Sequence, residues 1–246
     1  METYSRFTFD ATSGSVVANT MLLPSNGVIS SGGVSIFSPP GNGVYSGFEV
    51  RVAAHSYQSS SPSPPVGNGY LAGTSQLYLF CTSRTDATAA AGLNFDAYFY
   101  CTAYPASGEI LQLVGGIYYG WSGVGITPDG RFCIAGGNAT GNVASQSSAN
   151  VVPLNAWFRV KTQIAAVNGG WDGTKTSIFT GANLNTNTPT VTLSGSVGQG
   201  GFITIGQAFG TTRPLYVDDL CIGLEGSQVS RPAPTYPLAY GALVNR

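Results

Sequence analysis

Charge is what this sequence has least of. Asp, Glu, Lys and Arg make up 9% of the 246 residues, against about a quarter in ordinary soluble domains. Ten Lys and Arg, few of them lysine, face eleven Asp and Glu, for a formal net charge of −1. No basic surface is thus expected for nucleic acid or anionic headgroups. Histidine occurs once, at His55, which excludes a His-rich zinc site. No apolar run reaches the roughly 18 residues of a membrane-crossing helix, so membrane insertion is not expected. The opening METYSRFTFD has neither a basic leader nor an apolar h-region, which predicts no secretory signal and first folding in a cytosol. The cysteines, Cys81, Cys101, Cys133 and Cys221, lie too far apart for a CxxC metal pattern. With a cytosolic start, buried free thiols are expected over disulfides.

A helical apolar period sustained over three turns is also missing, while two-residue alternation recurs from end to end. With 34 glycines, 43% hydrophobic and 11% aromatic residues, the chain has too much apolar payload for disorder and the composition of strands and turns. Strand signals fall at 4–10, 16–23, 47–55, 76–83, 94–103, 109–114, 131–135, 157–167, 174–180, 189–195, 201–206 and 214–223. The predicted class is all-β, a two-sheet antiparallel sandwich of about 12–14 strands. In 47–55, Phe48, Val50 and Val52 share one side and Glu49, Arg51 and His55 the other. Leu77, Leu79 and Cys81 likewise share a side, as do Phe95, Phe99 and Cys101. The opposite sides carry Tyr78 and Phe80, then Asn94, Asp96, Tyr98 and Tyr100, a second face both aromatic and polar.

Residues 1–230 read as a single domain. The Pro/Ser stretch 56–69 and the apolar-poor stretch 136–150 read as its surface loops. The tail 231–246, with three prolines and two tyrosines, can neither form a helix nor pair inside a sheet, and is expected to dock. The aromatic stretch 117–123 is read as a strand closing the core, with a binding loop as the alternative. Asn138-Ala-Thr is a formal glycosylation sequon, of little meaning without a secretory route.

From 156 to 224 the order AWFRVKTQI, TSIFTG, TPTVTL, GFITIGQAF and RPLYVDDLCIG resembles the C-terminal half of the laminin G-like and concanavalin A-like jelly rolls. Trp157, Ile203 to Gly206 and Tyr216 to Ile222 carry the match. The resemblance implies two antiparallel sheets, one concave and one convex, with glycan often seated on the concave one. Modules of this kind also resemble parts of phage virion proteins, both minor tail and decoration proteins.

The residues offer little for bond breaking. Glycan hydrolysis needs two carboxyls aimed at one bond, and no closely spaced acid set lies on any predicted strand. Asp218 and Asp219 are adjacent, so alternation directs them to opposite faces; they are read as structural, with a calcium role left open. His55 has no G-x-S-x-G elbow to serve. The Gly runs 195–201 and 136–141 lack a following helix and are turns, not phosphate cradles. No catalytic residue, metal site or cofactor is expected. What remains is the aromatic and polar face: Tyr78, Asp96, Tyr98 and Tyr100, joined by Arg51, as a candidate glycan site. The competing reading makes these tyrosines plain β-formers or the floor beneath a loop or partner chain.

The expected function is therefore non-enzymatic: a structural or adhesion protein of a virus particle, that of a tailed phage, tail-associated or capsid-decorating and located in the virion. Its partners would be other virion proteins, copies of itself and a host-surface glycan. A stand-alone lectin is the alternative, and a polysaccharide-cleaving enzyme a more distant one.

Overall fold

Alternation along one nine-residue strand organises the molecule. In Leu93–Cys101, Phe95, Ala97, Phe99 and Cys101 enter the core, while Asn94, Asp96, Tyr98 and Tyr100 take the other side, as a pleated strand with one apolar row requires. The computed structural model describes residues 4–11, 13–16, 20–22, 25, 48–50, 55–73, 77–79, 93–117, 121–137, 139–164, 174–196, 202–206 and 213–224. The tail 231–246, Arg51 and Cys81 lie outside the described residues.

In chain order the strands are β1 (Tyr4–Phe7), β2 (Gly14–Val16), β3 (Thr20–Leu22), β4 (Phe48–Val50), β5 (His55–Gln58), β6 (Tyr70–Gly73), β7 (Leu77–Leu79), β8 (Leu93–Cys101), β9 (Leu111–Ile117), β10 (Trp121–Ile126), β11 (Phe132–Ala135), β12 (Val143–Gln146), β13 (Trp157–Ile164), β14 (Thr174–Phe179), β15 (Val191–Gly195), β16 (Phe202–Ile205) and β17 (Leu215–Leu224). The protein is all-β, and every described ladder is antiparallel. One sheet has the order β15-β14-β13-β8-β17-β6-β5-β2, with β1 also paired to β17; the second runs β12-β11-β10-β9-β16-β7-β4-β3. Among the described residues the only helical segments are the 3-10 turns Thr140–Asn142 and Gly181–Asn183.

Seventeen described strands exceed the expected 12–14. Some of the surplus is short edge pieces. β12 arises inside the stretch read as loop because, among the described residues, it pairs with β11 alone at the sheet edge and needs no full apolar row. The stretch 117–123 expected as one strand holds the end of β9 and the start of β10, and the glycines of β10 are required by packing: a Cβ on Gly123 would stand 2.2 Å from the Val114 carbonyl oxygen, and one on Gly125 2.5 Å from Ile110 Cγ2.

Among the described residues one large core cluster takes side chains from both sheets, with a smaller one of Ile110, Cys133 and Ala135 besides. In the large cluster Phe7, Leu71, Phe95, Phe99, Phe158, Val160, Val217 and Ile222 come from the first sheet; Leu111, Leu113, Val124, Ile126, Phe132, Ile134 and Ile205 come from the second. Phe99 and Phe158, opposite in register, stack with centroids 6.0 Å apart. Each such side chain contributes about 1.5–3 kcal/mol on full burial. Cys101 belongs to this core, and Cys133 and Cys221 are buried free thiols as well.

Candidate functional site

The outward side of the first sheet is where alternation collects chemistry. Its central strands lie in the order β13-β8-β17, and the register sets Trp157 beside Tyr100 and Tyr100 beside Tyr216. Moving along the strands, Arg159, Tyr98 and Asp218 share the next row, followed by Lys161, Asp96, Cys221 and Arg6.

The expected opposition of Asp218 and Asp219 does not hold. Register between β17 and β8 shifts between Asp218 and Cys221, and Asp219 has φ 45°. It is the extra residue of a β-bulge, so Val217 and Leu220 both enter the core with two aspartates between them on the outward side. Asp218 Oδ1 accepts the Asp219 N–H at 2.7 Å, and its Oδ2 accepts the Val66 N–H at 3.1 Å. Asp219 Oδ1 accepts Arg6 Nε–H at 2.5 Å. The bulge gathers three aspartates, Asp96, Asp218 and Asp219, on one face.

Asp96 is 0% exposed, with Arg159 forked onto it: Nε–H donates to Oδ1 at 2.7 Å and an Nη2 hydrogen to Oδ2 at 2.6 Å. Arg159 also donates to the Thr186 carbonyl at 3.3 Å and stacks over the Phe179 ring at 4.9 Å. Tyr98, 2% exposed, donates its hydroxyl to Asn185 Oδ1 at 2.7 Å. The loop carrying Asn185 and Thr186 thus lies over this middle row. Glycosidase chemistry needs one carboxyl held protonated and both open to a sugar. Here each carboxylate is buried and already accepts N–H bonds, so the trio braces the sheet.

The aromatic row is more open. Four rings close a circuit in which Tyr100 and Tyr216 stack at 5.3 Å and 2°, Tyr216 and Tyr70 at 5.3 Å and 29°. Trp157 completes it, 5.4 Å from Tyr70 at 76° and 5.4 Å from Tyr100 at 56°. Tyr100, Trp157 and Tyr216 are half-buried; Tyr70 is sealed. Beside them runs the Pro/Ser loop, whose carbonyls at Ser61 and Ser63 accept the Tyr70 hydroxyl at 2.7 Å and Trp157 Nε1–H at 2.8 Å. Asp10 fastens the far end, accepting the Asn68 N–H at 2.9 Å, and Gly67 at φ +63° leaves room for that carboxylate. Burial, with the nearby Tyr216 and Tyr100 hydroxyls, pushes the Tyr70 phenol up to about 12.

The structure therefore unites Asp96, Tyr98 and Tyr100 on one face but distributes them between two environments. Asp96 and Tyr98 form the floor beneath a loop, and Tyr100 joins the open ring cluster. Tyr78 does not join them: its strand, β7, belongs to the second sheet, opposite Thr204 and Glu49 in register. Alternation orders residues within a strand and says nothing about which sheet receives it. Arg51 lies outside the described residues. Sequence reasoning missed Trp157 and Tyr216 as members of the cluster and Arg159 as the partner of Asp96. The alternation of WFRVK in 157–161, which sets Trp157, Arg159 and Lys161 on one side, was the available signal. Among the described residues no group of three or more His, Cys, Asp or Glu side chains is arranged to hold a metal ion.

No protein-family model matches the chain, and no curated protein is significantly similar in sequence. Several solved structures are distantly similar in shape. Domain 4 of AbnA, an extracellular arabinanase from Geobacillus stearothermophilus determined with arabinotriose, is 14% identical over 89% of this chain and 91% of that one, with a TM-score of 0.45. A protein of unknown function from Shewanella oneidensis is 11% identical over 89% of this chain and 84% of its own, with a TM-score of 0.41. A mutant Trypanosoma rangeli sialidase displaying trans-sialidase activity is 13% identical over 78% of this chain but only 30% of the sialidase, with a TM-score of 0.42. Likenesses this distant assign neither ligand nor activity to the chain.

Proposed function

We propose that this chain is a non-catalytic, glycan-binding β-sandwich acting as an adhesion module. The observation that carries the reading is the half-buried cluster of Tyr100, Trp157 and Tyr216 on the outward face of the first sheet. Aromatic rings with polar edges suit a sugar, whose C–H groups pack on apolar surface while its hydroxyls seek donors and acceptors. Among the described residues the Tyr100 and Tyr216 hydroxyls make no intramolecular hydrogen bond, which suits them to a ligand. The sealed state of Asp96, Asp218 and Asp219 supports binding without cleavage. In its fuller form the module works on a virus particle, such as a tailed phage, docked through 231–246 onto other virion proteins and copies of itself. Its support is the charge-poor composition, which lowers the desolvation cost of packing against neighbours.

A glycan array read with wild type, Tyr100→Ala and Tyr216→Ala tests the core of this reading. Retention by the wild type, lost in both variants while each keeps its β-type circular dichroism, is the expected result. Release of reducing ends by the wild type, or retention indifferent to both substitutions, overturns it. For docking, light scattering should show an oligomer that deletion of 231–246 dissociates; a monomer with or without the tail argues against it.

A further inference from the structure

Only two lysines occur in the entire chain, Lys161 and Lys175. They sit on adjacent strands of the same sheet. Lys161 on β13 pairs with Ser177 on β14, and Gln163 pairs with Lys175, so the lysines are diagonal neighbours on one face. Diagonal positions in an antiparallel pair stand about 7–8 Å apart, within reach of long side chains. Both lysines are exposed, and among the described residues neither ammonium takes part in an ion pair. The acid opposite Lys161 in register is Asp96, which the Arg159 fork already engages. Around the pair lie neutral polar groups: exposed Gln163, Thr192 and Ser194, and Ser177, whose hydroxyl is 2.8 Å from that of Thr192. Two like charges side by side repel. An anion shared between them reverses the sign of that interaction.

We infer that Lys161 and Lys175 hold the carboxylates of an acidic, uronate-type polysaccharide. This inference rests on the glycan-binding reading and supplies its ligand class. The lysines share the outward face of the aromatic cluster, with Trp157 four residues from Lys161 on the same strand, about 13 Å at roughly 3.3 Å per residue. Arg159, between the two on the strand, donates to the Thr186 carbonyl, and next to Thr186 in that loop are exposed Asn187 and Thr188, whose amide and hydroxyl can meet sugar hydroxyls. An extended polysaccharide crosses such a distance with several sugar rings, stacked at the aromatic end and anchored by charge at the other.

Affinity measurements with polygalacturonate and with a neutral galactan, on wild type, Lys161→Gln/Lys175→Gln and Lys161→Arg/Lys175→Arg, test the inference. The Gln pair should weaken polygalacturonate binding about tenfold at low salt, the scale of two exposed ion pairs. It should leave galactan binding unchanged, and the Arg pair should retain both. Wild-type binding of polygalacturonate should weaken as salt passes about 0.15 M, where the screening length is about 8 Å. Equal binding of polygalacturonate by wild type and the Gln pair, or wild-type binding of galactan alone, overturns the inference and leaves the aromatic reading standing. Loss in the Gln pair without loss in Tyr100→Ala overturns the aromatic reading and leaves the lysines. Binding of neither polymer overturns the inference, and the glycan array then decides the aromatic reading.

Discussion

Two rows on the same face of the first sheet, one strand step apart, have opposite characters. The middle row, Arg159, Tyr98 and Asp218, is sealed and bonded from several sides, Arg159 being forked onto Asp96 of the row beyond. The end row, with Tyr100, Trp157 and Tyr216, keeps half-buried rings. Both arise from the same alternation. The difference lies above them: the loop bearing Asn185 and Thr186 bonds onto Tyr98 and Arg159 of the middle row and Val66 of the Pro/Ser loop onto its Asp218, whereas the Pro/Ser loop holds the end row by its margin, at Tyr70 and Trp157. Availability to a ligand is a property of the covering segment.

The largest effect expected is from Asp96→Ala, which strands the Arg159 guanidinium in a buried site. Removing one partner of such a pair costs about 3–5 kcal/mol, to be read from the urea midpoint. A loss below about 1 kcal/mol would mean that the pair is hydrated and the middle row open.

Alkali probes the sealed groups together. Burial pushes the Cys101 and Cys133 thiols up to about 12, and Tyr70 stands there too. The unfolded chain releases these protons nearer the ordinary values of about 8.5 and 10. Between those values and about 12 the folded state binds more protons than the unfolded one, so stability falls as pH rises through that window. A thermal midpoint declining from about pH 8.5 to 12 is expected; a flat profile would place these groups in contact with water.

Tyr216→Ala should cost about 2 kcal/mol, because it breaks two ring contacts each worth about 0.5–1.5 kcal/mol beyond buried area, and should remove glycan retention. Tyr98→Phe loses the hydrogen bond to Asn185, about 1 kcal/mol, and should leave retention intact. If Tyr98→Phe damages binding as much as Tyr216→Ala, the two rows act as one site. Smallest is Trp157→Phe, which keeps an apolar ring but drops the bond to Ser63: about 1 kcal/mol or less, with faster proteolysis near the Pro/Ser loop as its signature.

Much of the sandwich was legible because a pleat has period two and most long strands state it plainly, as in 93–101 and 157–164. Strands rich in small residues did not: β6 carries Ala72 and Gly73, and β10 carries Gly123 and Gly125, the latter two where a neighbouring backbone comes close. The candidate site was legible in part. Asp96, Tyr98 and Tyr100 share a face as the pattern requires, yet nothing local announces that Tyr78 goes to the other sheet or that Asp96 meets Arg159 across 63 positions of chain.

From the sequence alone came the all-β class, the alternation of the central strands and the scarcity of charge, since each depends on residue type and nearest spacing. Tertiary structure alone decided the bulge that turns Asp219 to the side of Asp218, the pairing that brings Trp157, Tyr100, Tyr216 and Tyr70 into one circuit, and the loops that close one row and leave the other accessible. These depend on which distant segments become neighbours, and the free energy that selects them is spread over the whole core.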